Sequence, residues 1–353
     1  MEEKKDTMEL LDMMVQPVFC VKENLIVRAN AAARQMLFRE GDDIRPLLET
    51  GTEEYEAFRE GCLYLSLRTA GETVAASVRP FEDCHIFELD LNSTDALRAM
   101  ALASSQLRNP LAGALSQTEA LLEEQSDPQL RQQLSRLNRE LYRMLRLLGN
   151  MSDAEQTASF CQPRTENAGQ IFRSIFEKTI AFAQQSGFRL QYQGLDETVY
   201  CLLDKHQLER AVLNLLSNAM KFTPKDGQIT ASLTRRGRTL ILAVQDSGSG
   251  ISREILGNLY QRHLRQPGIE DSRYGIGLGM RIVHSVALSH GGTLLLTQDE
   301  QVGTRVVMTL AIRQNTSGTL HSPVFDIDYS GGFDHSLVEL SDCLSSHLFD
   351  GNC

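Results

Sequence analysis

Asn214, Asn218 and Lys221 recur at i, i+4 and i+7, a spacing that sets all three on one face of a helix. Amide oxygens are hard donors suited to Mg²⁺, and a lysine can neutralise phosphate. The same trio also fits a plain solvated helix face. Further along, Leu240-Ile241-Leu242-Ala243-Val244-Gln245 reads as a buried strand that delivers Asp246 to its end, followed by Gly248 and Gly250. Glycines there let a flat base approach the backbone. A carboxylate at that point can accept a hydrogen bond from the exocyclic amine of adenine and so select ATP over GTP. A dinucleotide loop does not fit, because Arg253 stands where the third glycine of G-x-G-x-x-G belongs. Gly275, Gly277 and Gly279 then precede a helical run from Met280 to Ser289, and free N–H groups at such a start can meet phosphate.

The elements that must hold these groups are legible in outline. Asp204, with Gln207 at the third position, forms a capping box that opens the helix carrying Asn214 to Lys221. His290-Gly291-Gly292-Thr293 and Gly303-Thr304 close the segment with a turn and a last strand. No G-x-x-x-x-G-K-[ST] loop competes. Residues 160–312 interleave helices and strands in an α/β sandwich pattern.

Together these four segments resemble the ATP-binding domain shared by histidine kinases, gyrases and related chaperones, the Bergerat or GHKL fold. The resemblance implies that Asn218 ligates Mg²⁺, Lys221 contacts phosphate and Asp246 reads adenine. It also implies that Gly275, Gly277 and Gly279 shape the phosphate end of a lid, and that Thr304 supports the adenine pocket. The lid departs from the family pattern: Leu259-Tyr260-Gln261-Arg262-His263-Leu264-Arg265 stands where phenylalanines are usual. Upstream, Ser104-Ser105-Gln106-Leu107-Arg108-Asn109-Pro110-Leu111 resembles the phosphoacceptor box of sensor histidine kinases. Ser105 replaces the acceptor histidine and Gln106 the acid beside it, and no histidine occurs between His85 and His206. A serine hydroxyl needs a base to become a nucleophile, and Gln106 cannot be one. Asn109, four residues after Ser105, holds the place where family members orient water for regulator dephosphorylation, which needs an amide and not the histidine. Ser105, Gln106, Asn109 and Asn214 are thus the candidate catalytic positions. The nucleotide set is Asn218, Lys221, Asp246, Gly248, Gly250, Gly275, Gly277, Gly279 and Thr304.

The rest of the chain divides around these sites into an α+β multidomain array. Residues 8–92 read as a small PAS-like domain: strands at 17–21 and 25–30, a helix over 31–38, and strands at 61–67, 73–78 and 84–89. It is expected to be structural, without a bound ligand. Residues 93–155 read as a helical hairpin. Leu130, Leu134, Leu137, Leu141, Met144, Leu148 and Met151 follow the alternating spacing of a bundle seam, and Leu97, Leu107, Leu111, Leu115 and Leu122 make a weaker one. Asp127-Pro128 supplies a cap and a first-turn proline between them. Two chains would complete a four-helix bundle. Residues 313–353 read as a frayed Ser/Asp-rich tail, although Leu337, Leu340, Leu344 and Leu348 could mark a short amphipathic helix.

Composition bounds the function. With 353 residues, 42% apolar and a net charge of −11, the chain suits two or three globular domains and not generic nucleic-acid or anionic-membrane binding. No run reaches the ~18 apolar residues of a membrane span, and the start lacks a signal-peptide pattern. The seven cysteines lie without zinc spacing, as in a reducing cytosol. The expectation is a cytoplasmic, homodimeric member of the histidine-kinase family that binds Mg·ATP, with autophosphorylation impaired or lost. It would act on or scaffold a response regulator or partner histidine kinase. Two alternatives stand beside it: an active kinase working in trans or on an unorthodox acceptor, and a non-enzymatic interaction module with a vestigial ATP site.

Overall fold

The computed structural model describes residues 14, 16–69, 72–90, 94–156, 161–250, 278–299, 303–314 and 332–351. The first strands, β1 (Val18–Lys22) and β2 (Leu25–Ala29), are joined by Glu23 and Asn24, both at positive φ, as a tight two-residue hairpin requires. Asn30 ends the hairpin and caps α1 (Ala31–Gln35). Its buried carboxamide accepts from Val18 N at 3.1 Å and Ala33 N at 2.9 Å, and donates to the Gln16 carbonyl at 2.7 Å. After α2 (Thr52–Ala57) come β3 (Cys62–Thr69), β4 (Glu72–Phe81) and β5 (Cys84–Leu89), giving the antiparallel order β2-β1-β5-β4-β3. Phe19 stacks between Phe38 and Phe87, with centroids 4.8 and 5.0 Å away, in a core of its own.

Two long helices follow, α3 (Thr94–Glu124), which runs through Pro110, and α4 (Pro128–Gln156). Asp127 Oδ1 caps α4 through Gln129 N at 2.9 Å. The leucine seam divides: Leu111, Leu115, Leu122 and Leu148 are buried within the single chain, and Leu134 and Leu141 are half-buried. Leu107, Leu130, Leu137 and Met144 are exposed, whereas α4 buries Ser135, Asn138, Tyr142, Leu145, Arg146 and Leu148. The helix has two working faces. One meets the rest of this chain and is partly polar; the other is apolar and bare within the single chain.

The last domain contains β6 (Arg164–Asn167), α5 (Ala168–Gln185), β7 (Arg189–Gln193), β8 (Tyr200–Leu203) and α6 (Lys205–Phe222). It continues with β9 (Gln228–Arg236), β10 (Thr239–Asp246), α7 (Leu278–Ser289), β11 (Leu294–Asp299) and β12 (Gly303–Ala311). Its strands pair in the order β11-β12-β10-β9-β7, with only β7 and β9 parallel. One face packs Leu240, Leu242, Val244, Met308 and Leu310 against the helices, making a two-layer α/β sandwich.

The two sheets are one. β3 pairs antiparallel with β11, Leu63 opposite Leu295, so ten strands run continuously from the first domain into the last. The join depends on Gly61, at φ +88°, where a Cβ would overlap the Leu296 carbonyl oxygen. Arg281 of α7 pairs with Asp90 at 3.4 Å, and His284 lies against Tyr64 of β3 with centroids 5.0 Å apart.

The tail is the largest departure from expectation. Residues 332–351 are folded, with α8 (His335–Leu340) and a 3₁₀ turn at Ser346–Phe349. Leu337, Val338, Leu340, Leu344, Leu348 and Phe349 are buried in the core shared by the hairpin and the α/β domain. Asp334 caps α8 through Ser336 N and Leu337 N, at 2.8 and 3.1 Å. Burial of six large apolar side chains outweighs the ordering of a short polar segment. No helix among the described residues is long and apolar enough to cross a membrane.

Candidate nucleotide site

The site is built on the end of β10, the face of α6 and the start of α7. Asp246 is buried, and its Oδ1 accepts from Gly248 N at 2.8 Å and from Thr304 N at 3.3 Å. Burial pushes its carboxyl above the ordinary range, while these donors and the Thr304 hydroxyl pull the other way. The glycines around it are there for contact. At Gly248 a Cβ would overlap the Phe222 carbonyl oxygen; at Gly303, with φ +95°, it would overlap the carbonyl oxygen of Asp246. Gly250 has φ +72° and faces Gln298, whose Nε2 would lie 2.9 Å from a Cβ.

Asn214 is fully buried in α6, with Nδ2 donating to the Arg210 carbonyl at 3.0 Å and to Glu339 Oε2 at 3.2 Å. Its Oδ1 is buried with no hydrogen-bond partner among the described residues. A Cβ at Gly279 would come within 2.6 Å of that oxygen, so Gly279 in the first turn of α7 packs closely on the Asn214 carboxamide. A buried carbonyl oxygen without a donor costs stability unless a ligand uses it. An amide oxygen is a hard donor of the kind a divalent cation takes. Asn218 and Lys221 lie one and two turns further along the helix and are half-buried. Burial lowers the Lys221 ammonium's pKa, and the carboxylate of Asp342 opposes this.

The capping box opening α6 forms only in half. Asp204 Oδ1 accepts from Gln207 N at 3.1 Å, but the Asp204 N–H donates to His290 Nε2 at 3.0 Å instead of to Gln207. That bond fixes His290 with its proton on Nδ1, which donates to the Val286 carbonyl at 2.8 Å. The Gln207 side chain accepts from the Ser289 hydroxyl. The closing turn is tight: at Gly292 a Cβ would overlap the Thr309 carbonyl oxygen.

The structure brings Asp246, Gly248 and Thr304 together, and Asn214 with Gly279. Gly275 and Gly277, and the lid stretch Leu259–Arg265, lie outside the described residues. Ser105, Gln106 and Asn109 are exposed on α3, and the Ser105 hydroxyl donates to the Leu102 carbonyl one turn back at 2.8 Å. Arg210 ties α6 to α4: its Nη2 donates to Asn150 Oδ1 at 3.1 Å. A Cβ at Gly149 would be 3.3 Å from Arg210 and 3.9 Å from Arg108 of the box.

Sequence reasoning missed the acidic partners of this site. Glu339, 1% exposed, pairs with Arg146 of α4 at 3.4 Å and Arg210 of α6 at 3.6 Å. Asp342 bonds Arg146 at 2.6 Å and Arg143 at 2.8 Å. Its carboxyl, which burial would raise, is held below the usual range chiefly by Arg146, together with Arg143 and Lys221. The signals were Arg143 and Arg146 on one helix and Glu339 and Asp342 on the other segment, at matching three-residue spacing.

Residues 203–314 match the family described as histidine kinase-, DNA gyrase B- and HSP90-like ATPase, and residues 97–159 match the His Kinase A phospho-acceptor domain. That domain pair, a phospho-acceptor domain followed by an ATPase domain, is what the chain shares with sensor histidine kinases. Among curated relatives it is similar to the sensor histidine kinase CusS of Escherichia coli, 30% identical over 58% of this chain and 43% of that one. It is also similar to the histidine protein kinase DivJ of Caulobacter vibrioides, 38% identical over 31% of this chain and 18% of that one. The chain thus spans less than half the length of these two relatives. A solved structure, ShkA in complex with AMPPNP, aligns over 62% of this chain and 47% of that one, at 20% identity and a TM-score of 0.49.

Proposed function

We propose that this is a dimeric histidine-kinase-family protein of two-component signalling that binds Mg·ATP and has lost, or nearly lost, phosphorylation of its own hairpin. It acts on a response regulator or a partner histidine kinase. The observation that carries this reading is the contrast between the two sites. Around Asp246 and Asn214 the pocket keeps its carboxylate, its glycine approaches and an unsatisfied amide oxygen. In the phosphoacceptor box a serine stands in the acceptor's place, with its proton given to the Leu102 carbonyl and a neutral Gln106 beside it.

In this reading Asp246 and Thr304 hold adenine, and Lys221 with the backbone of Gly275, Gly277 and Gly279 meets the phosphates. The amide oxygens of Asn218 and Asn214 take Mg²⁺, which neutralises phosphate charge when bound. Exposed Asn109 is placed to orient water on an aspartyl phosphate of a docked regulator. The strand order β2-β1-β5-β4-β3 supports a PAS-like first domain. The exposed Leu107, Leu130, Leu137 and Met144 support a second copy completing a four-helix bundle. Six described cysteines are free thiols, which supports a reducing, cytosolic setting.

The test is incubation with Mg²⁺ and γ-labelled ATP, with and without a candidate response regulator. Expected are nucleotide binding and no covalent label on this chain. Acid-stable label mapping to Ser105 would refute the loss of autokinase activity. Acid-labile label would place the acceptor on a histidine outside the box.

A further inference from the structure

Resting on the ATP-site reading above, we infer that the C-terminal segment 334–351 is a built-in competitor of the nucleotide: its Glu339 carboxylate occupies the Asn214 amide, and Asp342 holds it there through the arginines of α4. The contacts come from two sides. Glu339 takes the Nδ2 of Asn214 at 3.2 Å and faces the guanidiniums of Arg210 and Arg146 at 3.6 and 3.4 Å. Asp342 bridges Arg143 and Arg146 and acts electrostatically on Lys221. The segment lies against the helix face that carries Asn214, Ser217 and Lys221, with Cys343 Sγ 3.4 Å from the Ser217 carbonyl and 3.9 Å from its hydroxyl.

Anions of a second kind at this face would contend for the same groups. A triphosphate brings more negative charge than two carboxylates, but the carboxylates are already in place at high local concentration. The segment is also anchored where it would not block nucleotide. Phe349 packs edge-on to Tyr142 with centroids 5.1 Å apart, its carbonyl accepts from Asn138 Nδ2 at 3.1 Å, and the Asp350 carbonyl accepts from Arg131 at 3.0 Å. Release of the α8 end therefore leaves the segment tethered to the hairpin. Because the latch joins α4 to α6, it also holds the α/β domain against the hairpin. Nucleotide entry and freedom of the domain are then a single event.

The native Cys343 gives a reversible test in the full chain. With Ser217→Cys, oxidation should form a 217–343 disulfide, checked by peptide mass, that locks the segment in place. Expected is binding of a fluorescent ATP analogue at least tenfold weaker in the oxidised protein than in the same sample after reduction. Glu339→Gln with Asp342→Asn removes the carboxylates that Arg143, Arg146 and Arg210 face, loosens the latch, and should tighten binding at least threefold over wild type. Equal affinity of locked and reduced protein overturns the inference. If the cross-link does not form, unchanged or weaker binding by the double variant overturns it. Failure of wild type, reduced Ser217→Cys and the double variant alike to bind nucleotide would sink the ATP-site reading, and this one with it.

Discussion

Asp246→Asn separates the recognition of adenine from the architecture that holds it. The side chain accepts from Gly248 N, Thr304 N and the Thr304 hydroxyl, and an asparagine oxygen can still accept from the backbone donors. What disappears is the charged acceptor for the exocyclic amine, replaced in one orientation by a second donor facing a donor. A hydrogen bond to a charged group contributes about 1.5–3 kcal/mol, which corresponds to affinity weaker by about 10- to 150-fold. Stability should move the other way. Burial raises this carboxyl's pKa in the folded chain, so at neutral pH the ionised form costs folding free energy, and a neutral side chain relieves that cost. The assay is titration calorimetry with Mg·ATP alongside thermal unfolding without ligand. Wild-type binding should also weaken as pH falls through the raised pKa and the carboxylate protonates. Wild-type affinity in the variant would refute the assignment of Asp246 to adenine. A large fall in melting temperature would show its role to be structural.

Two further outcomes follow from buried and bare surfaces. Burial drives the His284 imidazole down to about 3, so the fold holds it neutral while the unfolded chain binds a proton below the ordinary 6.5; stability is complete above that value and lost as pH falls. At about pH 5 this one group costs ~2 kcal/mol, and His284→Phe, filling the same place against Tyr64, should flatten that part of the acid-unfolding curve; a profile identical to wild type contradicts the shift. Leu137→Glu with Met144→Glu, at sites 51% and 52% exposed, should halve the mass seen by light scattering and leave circular dichroism unchanged. A variant that remains dimeric would move the interface elsewhere.

The strands and helices of both α/β regions were legible because their signals are local. The strands at 17–21 and 25–30, the Asp204 cap and the apolar run that ends at Asp246 are each read within a few residues. The hairpin shows where locality fails. Seven regularly spaced apolar residues announced a seam, but spacing does not say which face meets this chain and which a second copy. The face packed within the chain holds Ser135, Asn138 and Arg146, which look like solvent positions until their partners are known. For Asn138 and Arg146 those partners lie about two hundred residues away in the tail, at Phe349 and Asp342. Over residues 332–351 the frayed reading of the tail fails for the same reason, and the four leucines marked as a possible amphipathic helix are buried. The tail's apolar residues are too few to make a core alone, and only the groove between α4 and α6 lets them bury. Gln207 was placed correctly in its helix and given the wrong partner, because His290, brought in by the fold, took the Asp204 N–H.

The β3–β11 pairing bears on where this molecule can be cut. A sheet that crosses a domain boundary hides two edges at once, and Leu294-Leu295-Leu296 is the edge the α/β domain would show without β3. Such a strip of bare backbone flanked by leucines is a template for pairing with other chains. The α/β domain therefore shares its β11 edge with the first domain, and β3 shields that edge from other chains. Fragments begun after residue 90 should self-associate through β11 even though every residue of the ATP pocket is present.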